Sequence, residues 1–154
     1  AFSSLMKELD YVPDVIAGTA TAGIPHATSL ADFCDLPLSY VRQNNKTHGL
    51  CNVIEGLGKE GSYNGKEVLV IEDLISTGKS SVLAAQALQE AGLEVLGVVA
   101  IFSYNLNKAK EKFDEAKIPF STLTNYDVLL EVAKETGLIG NKENQVLVDW
   151  RNNL

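Results

Sequence analysis

Two adjacent acids, Glu72 and Asp73, close the apolar run VLVI and are followed by LISTGKSS. Each part of that sequence has a chemical use. Gly78 lets the backbone approach an anion closely, and Ser76, Thr77, Ser80 and Ser81 add hydroxyl donors. If a helix begins there, its first N–H groups lack intrahelical partners and carry partial positive charge, a combination that binds phosphate. Carboxylates would repel a phosphate placed on them, so Glu72 and Asp73 suit a neutral diol or a developing cation. A sugar bearing a 5-phosphate has both ends: hydroxyls for the acids and phosphate for the loop.

Two other readings compete. In one, the acids only cap the following helix, as acids in strand-to-helix loops commonly do. In the other, Gly78-Lys79-Ser80 ends a nucleotide-binding loop of the form G-x-x-x-x-G-K-S. That motif needs glycine at position 73, where this chain has Asp73, so the second reading fails.

A second chemical stretch precedes it. Between Leu36 and Ile54 there is no acid, although the chain has 20 Asp plus Glu against 13 Lys plus Arg. Arg42, Lys46 and His48 lie there within seven residues, among Gln43, Asn44 and Asn45 and followed by Gly49, Gly56 and Gly58. Such a segment suits a mobile loop, spanning 43–57, that closes over a polyanion. Taken alone it is also compatible with a solvated surface loop.

These residues need a frame. Short β-branched runs recur at 14–18, 37–42, 66–72, 94–102 and 119–123, and helical patterns fall at 24–35, 79–91, 106–117, 126–136 and 142–152. VLVI and VLGVVAIF are apolar at nearly every position, as strands covered on both faces require. Strand-helix alternation predicts an α/β fold with an open, mainly parallel sheet flanked by helices, as one domain over 1–154. Ligands in such sheets bind beyond the carboxyl ends of the strands. The loops after residues 18, 42 and 72 are therefore the ones to inspect. In the first of these, AGTATAGIPHATSLAD (17–32) leads into a helix with Pro25 expected in its first position and His26 as a structural residue.

Composition removes several classes. A net charge of −7 argues against general nucleic-acid or anionic-membrane binding. Cys34 and Cys51 have no metal-ligand spacing and read as reduced thiols of a cytoplasmic protein. No apolar run reaches the roughly 20 residues of a membrane helix.

The run of aliphatic residues, two acids, two apolar residues and Ser-Thr-Gly-Lys-Ser-Ser resembles the signature of type I phosphoribosyltransferases, and in this version those of the orotate type. YVRQNNKTHGLCNVIEG (40–56) resembles the catalytic loop of the same enzymes, departing from it at Gln43, where many relatives have lysine. The resemblance covers about residues 5–135. It implies a type I phosphoribosyltransferase fold that transfers the phosphoribosyl group from phosphoribosyl pyrophosphate to orotate, in de novo pyrimidine synthesis.

By that resemblance, Glu72 and Asp73 contact the ribose hydroxyls, and Leu74, Ile75, Ser76, Thr77, Gly78, Lys79 and Ser80 cradle the 5-phosphate. Arg42, Lys46 and His48 bind the pyrophosphate, with Lys46, His48 and Asp73 the catalytic residues. Mg2+ is implied as cofactor, carried mainly on the donor pyrophosphate rather than by protein ligands. A cytoplasmic homodimer with shared active sites is implied too. Complete members carry a further N-terminal segment that forms a hood over the base, expected to lie outside this chain. Tyr104 and Asn105 stand where many members place an arginine, and receive no role. Two alternatives share this fold: a purine phosphoribosyltransferase and a regulator that senses the donor without turnover. The Arg42, Lys46 and His48 pattern speaks against both.

Overall fold

The computed structural model describes residues 1–42, 53–58 and 62–154. Among these, six strands form one sheet in the order β3-β2-β1-β4-β5-β6. They are β1 (Val15–Thr19), β2 (Leu38–Arg42), β3 (Val53–Glu55), β4 (Glu67–Ile75), β5 (Glu94–Ser103) and β6 (Phe120–Asn125). All neighbours run parallel except β3, which pairs antiparallel with β2 at one edge. The helices are α1 (Phe2–Glu8), α2 (Gly23–Cys34), α3 (Lys79–Glu90), α4 (Asn107–Ala116), α5 (Tyr126–Glu135) and α6 (Asn141–Asn152). The expected mainly parallel α/β sheet is therefore the one observed.

Its core has two halves, set by the alternation of side chains along β4. Val68 and Val70 pack with Val82, Ala85 and Leu88 of α3 and with Ala109 and Phe113 of α4. Leu69 and Ile71 face the other way, against Met6 of α1 and Ala27, Leu30 and Ala31 of α2. All five residues of β1 are buried, which is why neither strand shows a polar face in the sequence. Each fully buried Val, Leu or Ile contributes about 1.5–3 kcal/mol of burial free energy.

Three differences from the expected elements bear on the site. β4 does not stop at the acids but runs three residues past Glu72 to Ile75, because β5 is long enough to keep pairing with it: Glu72 opposes Ala100 and Ile75 opposes Ser103. α2 begins at Gly23, two residues before Pro25. Proline is tolerated there because the N–H groups of a helix's first turn have no carbonyl partner to lose. Finally, 53–55 form β3, with Val53 opposite Arg42, inside the stretch 43–57 expected to be a mobile loop; residues 43–52 lie outside the described residues.

The chain goes from β1 through α2 to β2 on one side, and β4 joins β1 on the other. The order of strands therefore reverses between β1 and β4, and their carboxyl ends form the crevice where such sheets bind ligands. Thr19 ends β1, and Glu72 and Asp73 lie near the end of β4.

Candidate functional site

The loop 76–78 turns the chain from β4 into α3, and its geometry depends on Gly78. This residue is the N-cap of α3 at φ 73°, a left-handed conformation that side chains resist. A Cβ there would also lie 2.9 Å from Cε2 of the buried Phe113. Glycine thus permits both the turn and the close seat of α4 beneath it. Around the turn, Ser76, Thr77, Lys79 and Ser80 are exposed. Gly78 has no side chain with which to cap α3, so among the described residues its first-turn N–H groups are left for a ligand or water. This disposes of the simpler role for Glu72 and Asp73 as helix caps.

The two acids occupy different environments. Glu72 is 5% exposed, and both of its oxygens are engaged. Oε1 accepts the Asp73 amide at 3.1 Å, and Oε2 accepts the Ser81 hydroxyl at 3.0 Å. Thr19 donates to the Ile71 carbonyl at 3.2 Å, and its hydroxyl lies close enough to the Glu72 carboxyl to favour its charged form. Burial pushes Glu72 up to about 7, against the hydrogen bonds of Thr19 and Ser81, which favour its charged form, and with the Asp73 side chain adding to the rise. Asp73 is only partly buried, with more of its surface open than Glu72.

Close packing closes the floor of this crevice. A Cβ on Gly23 would stand 2.6 Å from both the Ile71 carbonyl oxygen and Thr19 Oγ1. Only glycine allows the first turn of α2 to rest on the end of β4. The loop between β1 and α2 contains a cis peptide between Ala20 and Thr21.

The remaining expected residues divide. The side chain of Ile75 is 1% exposed and belongs to the core, and its carbonyl accepts the Tyr104 amide at 3.2 Å. Leu74 is 39% exposed. Ser81, expected among the hydroxyls offered to phosphate, is 1% exposed and turned inward to Glu72, because the third residue of α3 faces the sheet. Arg42 ends β2 at the same sheet edge as Glu72, with β1 between them, so about 10 Å separates the two strands. It was expected to be an unpaired cation, yet it holds Glu55 of β3 in an ion pair. Lys46 and His48 lie outside the described residues, in the segment joining Arg42 to Val53.

Sequence reasoning missed Thr19, Gly23 and Glu55. The available signal was Glu55 itself, the first acid after the acid-free stretch, but pairing it with Arg42 requires the β2–β3 register. Tyr104 packs its ring between Phe102, Tyr126 and Trp150 at centroid distances of 5.4, 5.8 and 6.1 Å. Together with the Arg151–Asp127 ion pair of 3.0 Å, this anchors α6 against the sheet.

An acid pair facing a sugar and an uncapped helix start facing a phosphate can hold a phosphorylated pentose at both ends. The model of the phosphoribosyl transferase domain matches residues 1–129. An orotate phosphoribosyltransferase of Fusobacterium nucleatum subsp. nucleatum is 72% identical over 153 residues, covering 99% of this chain and 71% of the relative. One from Staphylococcus aureus strain Mu50 is 54% identical over 151 residues, covering 98% and 72%. Among solved structures, the UMP synthase of Leishmania donovani superposes with a TM-score of 0.79 at 26% identity, over 99% of this chain and 32% of that one.

Proposed function

On the premise that this chain belongs to the phosphoribosyl transferase domain family, and within it to the orotate phosphoribosyltransferases, we propose that it grips its donor between the Glu72–Asp73 pair and the start of α3. The enzyme transfers the phosphoribosyl group of phosphoribosyl pyrophosphate to orotate, giving orotidine 5-phosphate and pyrophosphate in pyrimidine biosynthesis. The observation that carries the proposed grip is the juxtaposition of an inward-braced acid pair with an uncapped helix N-terminus one turn of chain away.

As pyrophosphate leaves, C1 of the ribose becomes cation-like, and catalysis needs charge stabilisation and exclusion of water more than it needs a nucleophile. Asp73, the more open carboxylate, takes the ribose hydroxyls. Glu72 lies behind it, half-protonated near neutrality in the unliganded protein. A cation growing beside it favours its charged form, so its negative charge rises as the transition state is approached. The 5-phosphate occupies the turn of Ser76, Thr77, Gly78, Lys79 and Ser80, with Leu74 and Ile75 contributing backbone. Arg42, Lys46 and His48 receive the pyrophosphate, and Lys46 or His48 protonates it as it departs.

Mg2+ is proposed to arrive on the donor's phosphates and to neutralise charge on the leaving group. Mg2+ commonly keeps several waters and is held by substrate phosphates with few carboxylates. Among the described residues no group of three His, Cys, Asp or Glu side chains could cage a metal. A homodimer is also proposed, with the basic loop of one subunit (Arg42 to Gly58) reaching the phosphate loop of the other, and a cytoplasmic location. No helix among the described residues is long and apolar enough to cross a membrane. Loss of orotate absorbance in the presence of donor and Mg2+ tests the reading. Consumption of a purine base in place of orotate would overturn it.

A further inference from the structure

Among the described residues, Glu72 is one of five buried polar or charged side chains, and Thr19 and Ser81 are two of the others. The three converge from three elements: Glu72 from β4, Thr19 from the end of β1 and Ser81 from the first turn of α3. Buried polar side chains persist where their partners are supplied. Here the partners link the acid to the helix whose start faces the phosphate.

Ser81 has no surface to offer a ligand, being 1% exposed. Helix formation does not call for serine at this position, since alanine forms helix better. Helical serines often turn back to the carbonyl four residues earlier, but this hydroxyl reaches Glu72 Oε2 at 3.0 Å instead. With Oε1 fixed by the Asp73 amide, the carboxyl has one orientation.

We infer that Ser81 is a positioning residue for the transfer reaction: its hydroxyl ties Glu72, the buried acid behind the sugar-binding Asp73, to the first turn of the helix that receives the phosphate, so the supports of both ends of the donor form one rigid unit. This rests on the functional reading above. A hydrogen bond to a charged group in a buried site is stronger than one between neutral groups, and removing one partner leaves the other desolvated without compensation. Ser81→Ala should therefore let the carboxyl reorient, and should make its charged form harder to reach. The groups bearing on Glu72 are Thr19 from β1, Ser81 from α3 and Asp73 beside it, and Asp73 is the only ionisable one among the described residues.

The test compares full-length wild type with Ser81→Ala and Ser81→Cys, the latter keeping the volume with a weaker donor. Carboxyl carbon NMR follows the titration of Glu72, with Glu72→Gln identifying its resonance, and kcat/KM for the donor is measured against pH. Ser81→Ala should move the Glu72 midpoint to higher pH, shift the acid limb of kcat/KM the same way, and lower kcat/KM by about tenfold or more at neutral pH. Ser81→Cys should fall between. A midpoint or an acid limb that stays in place in both variants would overturn the role of Ser81. A wild type that leaves orotate untouched at every pH would instead remove the functional reading, while the NMR titration would still report on the Ser81–Glu72 link.

Discussion

Arg42, the last residue of β2, holds Glu55 of β3 at 2.5 Å, while the Tyr40 hydroxyl donates to the other carboxylate oxygen at 3.0 Å. Hydrogen bonds from Arg42 and Tyr40 keep Glu55 below the usual carboxylate range, so it is charged at neutral pH. If Arg42 receives the pyrophosphate as proposed, Glu55 competes for the same guanidinium. Both side chains are well exposed, and such pairs contribute only about 0–1 kcal/mol to stability. Glu55→Gln should leave the melting temperature nearly unchanged and tighten donor binding, whereas Arg42→Ala should weaken it. Donor affinity that ignores both substitutions would separate Arg42 from the donor site.

Glu72 makes a pH-dependent demand on the fold. Its pKa is about 7 in the folded protein against an ordinary 4.5, so between those values the native state binds more protons than the unfolded one. Stability therefore falls as pH rises through that window. Glu72→Gln removes the titration. The variant should melt above wild type at pH 8, by an amount that shrinks toward zero as pH approaches 4.5, while binding donor more weakly. Thermal melts at pH 5 and pH 8 check this, and a constant difference between the two proteins across that range would contradict it.

Gly78→Ala should damage both stability and the phosphate loop. A left-handed φ costs a residue with a Cβ roughly 1–2 kcal/mol, and the new methyl would meet Phe113 at 2.9 Å. With displacement of Phe113 added, the melting temperature should fall by at least about 4 °C in a chain of this size. An unchanged melting curve would mean that α4 and the loop adjust freely, contrary to the packing described.

The proposed sharing of sites between subunits has a direct readout. Lys46→Ala and Asp73→Ala, each inactive alone, are mixed under conditions that exchange subunits. If the loop of one subunit serves the other's site, each mixed dimer regains one site with both native residues and activity partly returns. Mixed dimers confirmed by mass but still inactive would place loop and acids in the same subunit.

The sheet was legible because its strands are buried on both faces: VLVI and VLGVVAIF can only be covered strands in a chain with this alternation. β3 was not, because three residues carry too little pattern to distinguish a strand from a loop. The acid pair, Gly78 and the helix start could be found from residue type and spacing. The unequal environments of Glu72 and Asp73 could not, since they depend on Thr19 and Ser81, which are 53 and 9 residues away from Glu72 in sequence and meet it only across β1 and α3. Likewise, the freedom expected of Arg42 was lost to a partner 13 residues on, which the antiparallel register brings within reach by setting Glu55 opposite Tyr40 and Val53 opposite Arg42.

If the donor is gripped through the acid pair and the start of α3, as proposed, Asp73 bears directly on its binding. Calorimetric titration of phosphoribosyl pyrophosphate with Mg2+ into wild type and Asp73→Asn isolates binding from turnover. Asp73 is partly exposed, so the substitution should leave the melting temperature in place and lower donor affinity by about tenfold or more, the scale of a hydrogen bond to a charged group. Equal affinity in the two proteins would mean that the donor binds elsewhere.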